Sequence, residues 1–374
     1  MNKKVGILGG GQLGRMLLQA AANYTVETYV LENDESCPAA HLCHHFTKGD
    51  IKNFDTVYNF GKNLDAITIE IENVNIEALE KLETEGITVI PKPCVIRTIK
   101  NKIFQKQFYQ EHAIPTAAFA VTNNKNEVQQ FASFFPAVHK LAEGGYDGKG
   151  VQILENENEI EKAFNTPAVL EKCIKIQKEI AIIIAINEKG ETAIYPAAEM
   201  IFDSVLNLLD YQLSPAKLQE KVLWKAEAIA LSVVKNLKSP GIFAVELFID
   251  NNNEVLVNET APRVHNSGHH TIEANYCSQY DMLWRILLQF PLGNTKPILP
   301  SAIVNIIGAE NYVGAVQYEG LNDVLKMENA FVHLYGKKET KVGRKMGHVT
   351  IISSDYTDLT HKANIIKHTL KAKS

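Results

Sequence analysis

Residues 4–21 read KVGILGGGQLGRMLLQAA, a short apolar strand followed by a glycine-rich turn and an amphipathic helix. The glycines at 9, 11 and 14 have the Gly-x-Gly-x-x-Gly spacing that lets a backbone turn approach a phosphate closely at the start of a helix. Further strand patterns at 26–31, 65–72 and 87–90 alternate with helical stretches, and a helical pattern follows from 95 to 112. This alternation predicts a Rossmann-like domain with a parallel sheet.

The glycine turn leaves two interpretations open. In an NAD-dependent oxidoreductase, the turn would bind the diphosphate, and Glu32 at the end of the second strand would hold a ribose. Alternatively, the turn contacts another ligand or only packs tightly. The motif alone does not decide between them, so the remainder of the chain has to.

The composition indicates an ordinary globular protein. The chain has 374 residues, 45% of them hydrophobic and 22% charged, with a net charge of -5. This charge gives no reason to expect nucleic acid as a partner, and no apolar run reaches the roughly 20 residues that cross a bilayer. The five cysteines form no paired motif, which is typical of free thiols in a reducing compartment. We therefore expect a cytoplasmic protein without a nucleic-acid or membrane partner.

A predicted β-hairpin carries two acidic residues, in IFAVELFIDNNNEVLVNET at 242–260. With a loop at 251–254, residue 250 pairs with 255, and Glu246 lies opposite Glu259 on the same face. Neighbouring carboxylates repel unless a cation lies between them, and Asn258 adds a further oxygen ligand. The hairpin predicts a Mg²⁺ site shared with nucleotide phosphates, and two solvated surface acids are the alternative.

A second glycine-rich segment, EGGYDGKG at 143–150, lies between predicted strands at 137–141 and 151–154. Its backbone N–H groups could fold over phosphates as a lid. Lys140 in the preceding strand and Lys102 are candidates to hold a phosphate as point charges. Because no Gly-x-x-x-x-Gly-Lys-[Ser/Thr] motif precedes a helix, this is not a P-loop. The segment LEKCI at 170–174, followed by Glu179, gives a weaker indication of adenine and ribose contacts.

Two later loops are rich in basic and polar residues. NETAPRVHNSGHH at 258–270 continues from the predicted metal strand and is well placed for substrate. YGKKETKVGRKMGH at 335–348 offers a pocket for a phosphate monoester, with a solvated basic loop as the alternative. HLCHH at 41–45 fits no metal-ligand spacing and is interpreted as surface.

Four segments, in order, resemble the ATP-grasp superfamily and, more narrowly, its 5-(carboxyamino)imidazole ribonucleotide synthetases: GILGGGQLGRML (6–17), GGYDGKG (144–150), NETAPRVHNSGH (258–269) and GRKMGH (343–348). The resemblance implies an α/β and α+β ATP-grasp fold. It places an N-terminal Rossmann-like parallel-sheet domain at 1–95, an ATP-grasp domain at 96–290 with a lid subdomain over about 135–180, and a small C-terminal domain at 291–374.

The resemblance implies a reaction in purine biosynthesis. ATP and bicarbonate would form carboxyphosphate, and the amine of 5-aminoimidazole ribonucleotide would then be carboxylated, with release of ADP and phosphate. Mg²⁺ would be the cofactor, with Mn²⁺ possible in its place, and the protein would be a homodimer.

The resemblance also implies site residues. ATP would be bound by Lys102, Lys140, Gly145, Tyr146, Asp147, Gly148, Lys149, Gly150, Glu171, Lys172, Cys173, Ile174, Glu179, Asn258 and Glu259. The metal would be held by Glu246, Glu259 and Asn258. The ribonucleotide would contact Gln12, Leu13, Glu70, Tyr146, Arg263, His265, Asn266 and Ser267, with its phosphate at Lys337 and Arg344. Lys140 would offset phosphoryl charge, Arg263 and His265 would orient bicarbonate, and Asp147 or Glu70 would accept the proton of the amine.

Three other functions remain open from the sequence. A formate-dependent glycinamide ribonucleotide transformylase, or another ATP-grasp carboxylate–amine ligase, would share the fold, the metal pair and the phosphate pocket, although RVHNSGH favours the carboxylating enzyme. An NAD-dependent oxidoreductase would leave the 144–150 loop and the acidic pair unexplained. A non-catalytic nucleotide sensor would keep an intact site.

Overall fold

The N-terminal part of the computed structural model, which describes residues 3–145, 150–202 and 209–374, is built on a five-stranded parallel sheet. Side chains of the first strand are buried on both faces, as expected for a parallel sheet covered by helices. The strands are β1 (Lys3–Leu8), β2 (Val26–Glu32), β3 (His45–Lys48), β4 (Ala66–Ile69) and β5 (Thr88–Val89), in the order β3-β2-β1-β4-β5. The helices are α1 (Gln12–Ala21), α2 (Phe54–Gly61), α3 (Ile76–Thr84) and α4 (Pro93–Lys100).

Two predicted elements of this region differ from the structure. The strand predicted at 65–72 ends at Ile69, so Glu70 and Glu72 lie beyond the carboxyl end of β4. The helical pattern from 95 to 112 is two helices, because Asn101 adopts an extended conformation and its side chain accepts from the N–H groups of Ile103 and Phe104. This N-cap starts a new helix, α5 (Lys102–Glu111), and places Lys102 at its first position.

A four-stranded antiparallel sheet follows α5. Its strands are β6 (Phe119–Thr122), β7 (Ala137–Leu141), β8 (Val151–Leu154) and β9 (Ala168–Lys172), in the order β6-β9-β7-β8, with 3₁₀ helices over Lys125–Phe134 and Glu157–Lys162. The sheet thus begins before residue 135, where the lid subdomain was predicted to start.

A nine-stranded sheet forms most of the rest of the molecule. Its first strands are β10 (Ile176–Ile186), β11 (Thr192–Ile194), β12 (Ala198–Phe202), β13 (Leu209–Ser214), β14 (Gly241–Asp250) and β15 (Val255–Ala261), accompanied by α6 (Glu220–Leu237), α7 (Thr271–Ala274) and α8 (Gln279–Leu287). A 3₁₀ turn covers Asn266–Gly268.

The C-terminal residues add three strands to this sheet and also form two small two-stranded sheets. Later elements are β16 (Ser301–Ile307), β17 (Gly314–Ala315), β18 (Gln317–Glu319), α9 (Leu321–Leu325), β19 (Ala330–Leu334), β20 (Glu339–Thr340), β21 (Lys345–Ile352), α10 (Tyr356–Thr369) and β22 (Lys371–Lys373). The order is β15-β14-β10-β12-β13-β16-β21-β19, with β11 beside β10.

A shared core fixes the N-terminal sheet against the large one. Trp284 of α8 is fully buried, and its Nε1 donates to the Leu17 carbonyl of α1 over 2.7 Å. Leu13 and Leu17 pack in the same apolar cluster as Ile183 and Ala244. The glycine turn at the start of α1 is thereby held near the loop that follows β15.

No helix in the described ranges is both long and apolar enough to cross a membrane.

Candidate active site

The predicted acidic pair is confirmed: Glu246 of β14 lies directly opposite Glu259 of β15. The register predicted for the end of the hairpin is wrong, because Ile249 pairs with Val255 and a β-bulge follows the Glu246–Glu259 pair. The turn closes one residue earlier than predicted, with Asp250 N–H donating to the Glu254 carbonyl over 3.0 Å. The bulge adds one residue, Asn258, to β15 and so restores the predicted pairing of Glu246 with Glu259. A bulge also redirects side chains that would otherwise alternate between the two faces of the sheet. Asn258 consequently lies on the site side with Glu259.

The two acids have opposite electrostatic environments. Lys102 Nζ lies 2.5 Å from Glu259 Oε2, and the lysine charge lowers the pKa of Glu259 to about 2. Burial, followed by the charge of Glu259, raises the pKa of Glu246 to about 8. Glu246 is therefore a mostly buried acid whose charge Lys102 and Lys140 offset only in part, which fits a divalent cation beside it.

The donor set suits a hard cation shared with phosphates. Among the described residues, no cluster of three or more histidine, cysteine, aspartate or glutamate side chains forms a closed metal site. Two carboxylates and the Asn258 amide leave coordination positions for phosphate oxygens and water, which is typical of Mg²⁺ in nucleotide sites. Glu246, Glu259 and Asn258 thus fit the ligand set predicted for the metal.

Lys140 of β7 reaches across to the same hairpin. Its Nζ donates to Asn258 Oδ1 over 3.0 Å and lies 3.0 Å from Glu171 Oε1. The sequence assigned Glu171 to an adenine connector, whereas in the structure its buried side chain lies between Lys140 and Lys106. Lys106 was not predicted, although its position one helical turn after Lys102 would have placed both lysines on one face of α5.

The adenine connector is tied into the four-stranded sheet. The N–H groups of Lys172 and Cys173 donate to the carbonyls of Ala118 and Pro136, so neither N–H is available to a base. Ile174 follows them, just before β10. Glu179 of β10 lies on the Glu246 side of the sheet, where its charge contributes to the raised pKa of Glu246. Burial raises the pKa of Glu179 itself.

The loop after β15 brings its predicted residues to the metal pair. His265 Nε2 lies 3.7 Å from Glu246 Oε1, and His265 Nδ1 lies 2.9 Å from Ser267 Oγ. Gln279, fully buried and missed by sequence reasoning, accepts from His265 N–H at 2.8 Å and donates to its carbonyl at 2.7 Å. Asn266 has a buried Oδ1 without a hydrogen-bond partner among the described residues. This oxygen is well suited to a ligand N–H, because buried acceptors are normally satisfied.

A carboxylate occupies the glycine turn. Glu70 accepts from Gly11 N–H at 2.6 Å and from Gly14 N–H at 2.8 Å, and Glu32 accepts from Gly10 N–H at 3.1 Å. Gly9 has a φ of 102°, and a Cβ there would lie 2.5 Å from Glu70 Cγ. The glycines therefore accommodate Glu70, at the position where a dinucleotide enzyme would bind a diphosphate.

The predicted substrate residues near the turn differ in their charge environment and in their exposure. Burial raises the pKa of Glu70, while the N–H groups of Gly14 and Gly11 and the charge of Arg263 oppose the rise. Arg263 Nε pairs with Glu72 Oε1 at 2.8 Å. Gln12 is partly exposed, but Leu13 is only 5% exposed and lies in the core. Leu13 therefore has little surface that a ligand could contact.

The basic C-terminal loop lies against α1. Lys337 Nζ donates to the Lys345 carbonyl at 2.7 Å, and Arg344 donates to the Glu339 carbonyl at 2.8 Å. A Cβ on Gly336 would lie 3.5 Å from a guanidinium nitrogen of Arg15. Sequence reasoning missed Arg15, whose guanidinium lies beside the backbone of this loop at Gly336.

Three stacked histidines connect the substrate loop to this C-terminal part. The His348 ring lies 4.6 Å from that of His269 and 4.5 Å from that of His333, with interplanar angles of 19° and 11°. Tyr280 OH and His269 Nδ1 are 2.7 Å apart.

The 41–45 segment is at the surface as predicted: His41 contacts Arg15, and His45 pairs with Glu27.

Part of the predicted lid lies outside the described residues, namely Tyr146, Asp147, Gly148 and Lys149. The two ends of the loop are close together, because a Cβ on Gly150 would lie 3.0 Å from the Gly145 Cα. Gly150 has a φ of 79°, and its carbonyl accepts from Leu141 N–H at 2.9 Å.

Comparisons with known families agree with this architecture. The ATP-grasp domain model matches residues 107–280, the ribonucleotide synthetase preATP-grasp domain model matches residues 1–100, and the phosphoribosylaminoimidazole carboxylase C-terminal domain model matches residues 301–362. The fold and site thus define an ATP-grasp protein.

Whole-chain relatives narrow the class. An N5-carboxyaminoimidazole ribonucleotide synthase from Aquifex aeolicus is 34% identical, covering 98% of this chain and 97% of the relative. A crystal structure of an N5-carboxyaminoimidazole ribonucleotide synthetase from Thermotoga maritima superimposes with a TM-score of 0.91 at 36% identity, covering 100% and 99% of the two chains. The chain belongs to the N5-carboxyaminoimidazole ribonucleotide synthase family.

Some relatives are longer. A chloroplastic phosphoribosylaminoimidazole carboxylase from Vigna aconitifolia is 34% identical over 97% of this chain, which spans only 66% of that protein. A structure from Aspergillus clavatus, in complex with ADP and 5-aminoimidazole ribonucleotide, has a TM-score of 0.89 at 29% identity over 98% of this chain and 99% of that one.

Proposed function

We propose that this protein uses ATP and bicarbonate to carboxylate the amine of 5-aminoimidazole ribonucleotide, releasing ADP and phosphate. One observation carries the proposal: His265 of the substrate loop lies 3.7 Å from Glu246 of the acidic pair. A phosphate-and-metal centre and a substrate loop therefore meet at one point, as a transfer from ATP to bicarbonate requires. The Aspergillus clavatus relative, solved with ADP and 5-aminoimidazole ribonucleotide, supports the same pair of ligands.

The triphosphate would lie between β7, α5 and the hairpin. Lys140 supplies positive charge from β7 and Lys102 from the first residue of α5, and both already contact β15, at Asn258 and Glu259. Such fixed charges offset the negative charge of a transferring phosphoryl group. The 145–150 loop would cover the phosphates. Ile174 N–H would meet the adenine, and Glu179 would accept from the ribose hydroxyls.

Glu246, Glu259 and Asn258 would hold magnesium. When bound, the ion would neutralise phosphate charge and orient the γ-phosphate. The protein's own part is to keep two carboxylates paired across the strands and to direct Lys102 to Glu259 rather than to Glu246. That arrangement leaves Glu246 for the ion. Manganese has similar oxygen-ligand preferences and would substitute.

Bicarbonate and the imidazole ring would lie over the 263–267 loop. Bicarbonate oxygen attacks the γ-phosphorus of ATP, ADP leaves, and carboxyphosphate forms. The exocyclic amine then bonds to the carboxyl carbon while phosphate leaves and the amine loses a proton. Arg263 and His265 would orient the bicarbonate. Asn266 Oδ1, buried without a partner among the described residues, would accept from a ligand N–H, and Ser267 would hold His265.

The proton of the amine would pass to Asp147 or Glu70. Glu70 is the acceptor whose surroundings the structure describes, and burial raises its pKa toward the range of a general base. The ribonucleotide phosphate would meet Lys337 and Arg344, while Gln12 and the Leu13 backbone would form the wall on the α1 side.

Release of ADP tests the reaction, measured with 5-aminoimidazole ribonucleotide in the presence and absence of bicarbonate. Release that requires both supports the proposal, and release that ignores the ribonucleotide contradicts it. Product analysis with labelled bicarbonate and, separately, labelled formate distinguishes carboxylation from a transformylase reaction. Failure of every substrate to cause ATP turnover would favour a nucleotide sensor.

We also propose a homodimer located in the cytoplasm, with domains at 1–95, 96–290 and 291–374. The three family matches, at 1–100, 107–280 and 301–362, support this division. The dimer is supported by the family resemblance, and sedimentation equilibrium of the purified chain tests it.

A further inference from the structure

A buried lysine outside the predicted site adjoins the phosphate lysines. The Lys106 side chain is 4% exposed; its Nζ lies 3.1 Å from Glu171 Oε2 and donates to Thr116 Oγ1 over 2.7 Å. Thr116 Oγ1 in turn donates to the Val257 carbonyl of β15 at 2.7 Å. Lysine is rarely so deeply buried unless it is paired, so this position needs a function that a smaller apolar residue would not supply.

Glu171 divides its two oxygens between two ammonium groups. Oε1 lies 3.0 Å from Lys140 Nζ, and Oε2 lies 3.1 Å from Lys106 Nζ. The Glu171 side chain is 5% exposed, so each oxygen depends on its protein partner in place of water. Although burial opposes it, the charges of Lys140 and Lys106 hold the pKa of Glu171 below its ordinary value.

The pairing of Glu171 with both lysines determines how many N–H donors of Lys140 remain for a ligand. An ammonium group has three N–H donors. Within the described residues, Lys140 directs one to Glu171 Oε1 and one to Asn258 Oδ1, which leaves a third for a phosphate oxygen. If Lys106 were absent, Oε2 of Glu171 would be buried and unpaired. Lys140, which already contacts Oε1 of the same carboxylate, would then turn toward Oε2.

We propose that Lys106 is a positioning residue for ATP: by holding the second oxygen of Glu171, it keeps Lys140 directed at β15 with one donor free for the nucleotide phosphates. This inference rests on the proposed function insofar as the ligand is ATP. Burial lowers the pKa of Lys106 to about 8 against the opposing charge of Glu171, so the side chain carries its charge at neutral pH.

Lys106→Met tests the inference through the affinity for ADP, measured by titration calorimetry, and through the two KM values. The variant should bind ADP at least tenfold more weakly and raise KM for ATP by a similar factor, while KM for 5-aminoimidazole ribonucleotide stays within twofold of wild type. Lys362→Met is the matched control, because Lys362 also forms a partly buried ion pair, with Asp358 of α10, and should change none of these values.

The route through Glu171 is tested in a Glu171→Gln background. With the carboxylate removed, Lys106→Met should weaken ADP binding by less than threefold further. The same tenfold loss in both backgrounds, or unchanged ADP affinity in a folded Lys106→Met protein, would overturn the inference. If Lys106→Met fails to fold, Lys106→Gln retains a donor to Glu171 and should weaken ADP binding three- to tenfold. ADP binding does not depend on turnover, so wild-type protein that binds ADP without carboxylating the ribonucleotide would contradict only the proposed function.

Discussion

Glu246 and Glu259 face each other across β14 and β15, yet within the described residues Lys102 pairs with Glu259 and not with Glu246, with Nζ 2.5 Å from Oε2 of Glu259. The nearby lysines thus offset the charge of Glu246 only in part. Removing the Glu246 carboxylate should therefore stabilise the folded protein and abolish ATP turnover. We expect Glu246→Gln to lower ADP release at least ~100-fold, as expected for loss of a metal ligand. With chelator present, its free energy of unfolding should rise by about 1 kcal/mol.

Urea denaturation in EDTA and an ADP-release assay check both parts. Glu254→Gln is a suitable control on the same hairpin, because Glu254 is exposed and pairs with Lys225. It should leave activity and stability near wild type. A Glu246→Gln protein that is less stable than wild type in EDTA would contradict this prediction, because it would show that the protein's own cations fully stabilise the charge of Glu246.

The glycine turn gives a prediction about stability. Glu70 accepts from the N–H groups of Gly11 and Gly14 and is only 9% exposed. Glu70→Ala leaves both donors buried without this acceptor at the start of α1, which should cost about 2 kcal/mol. Urea denaturation measures the loss. Glu77→Ala, at an exposed position of α3, should cost much less, and equal effects of the two substitutions would contradict the capping role of Glu70.

The same contact predicts the ligand preference of the turn. Because Glu70 and Glu32 already occupy the N–H groups of the turn, a second anionic group there would be repelled. Titration of the wild-type protein with NADH, followed by nicotinamide fluorescence, should show no saturable binding at millimolar concentration. Tight NADH binding in the presence of saturating ADP would restore the oxidoreductase interpretation.

Much of the fold follows from local patterns. The strand at 137–141 and the strand at 151–154 have the predicted bounds, because short alternating stretches bounded by glycine or turn residues specify strands strongly. The opposition of Glu246 and Glu259 was predicted from a turn that is one residue too long, and it holds because the bulge at Asn258 offsets that error. The resemblance to a family then supplied the fold that local patterns could not.

The missed features depend on contacts between distant parts of the chain. The bulge at Asn258 could not be read from alternation, because the shortened turn and the bulge cancel at Glu246 and Glu259. The break at Asn101 is a side-chain cap inside an otherwise helical pattern. Glu70, Lys106 and Gln279 act through partners at sequence separations of 14 to 65 residues, which no local period encodes.

A buried histidine in β7 gives a pH-dependent prediction. His139 is fully buried; its Nδ1 accepts from Phe164 N–H at 3.1 Å, and its Nε2 lies 2.9 Å from Thr122 Oγ1. Burial lowers the pKa of His139 from 6.5 to about 4. Between these two values the unfolded chain binds a proton that the native protein does not, so the free energy of unfolding falls as the pH is lowered. By pH 5 this one histidine should remove about 2 kcal/mol.

His139→Gln isolates that contribution, because glutamine does not titrate in this range. The variant should be less stable than wild type at pH 7.5, since the contacts to Thr122 and Phe164 are disturbed, but the difference should narrow by about 2 kcal/mol at pH 5. Urea denaturation at the two pH values measures it. His361→Gln, on the exposed side of α10, should follow the wild-type pH dependence. A constant difference between His139→Gln and wild type at both pH values would mean that the buried ring does not resist protonation, and the acid sensitivity would then belong to other groups.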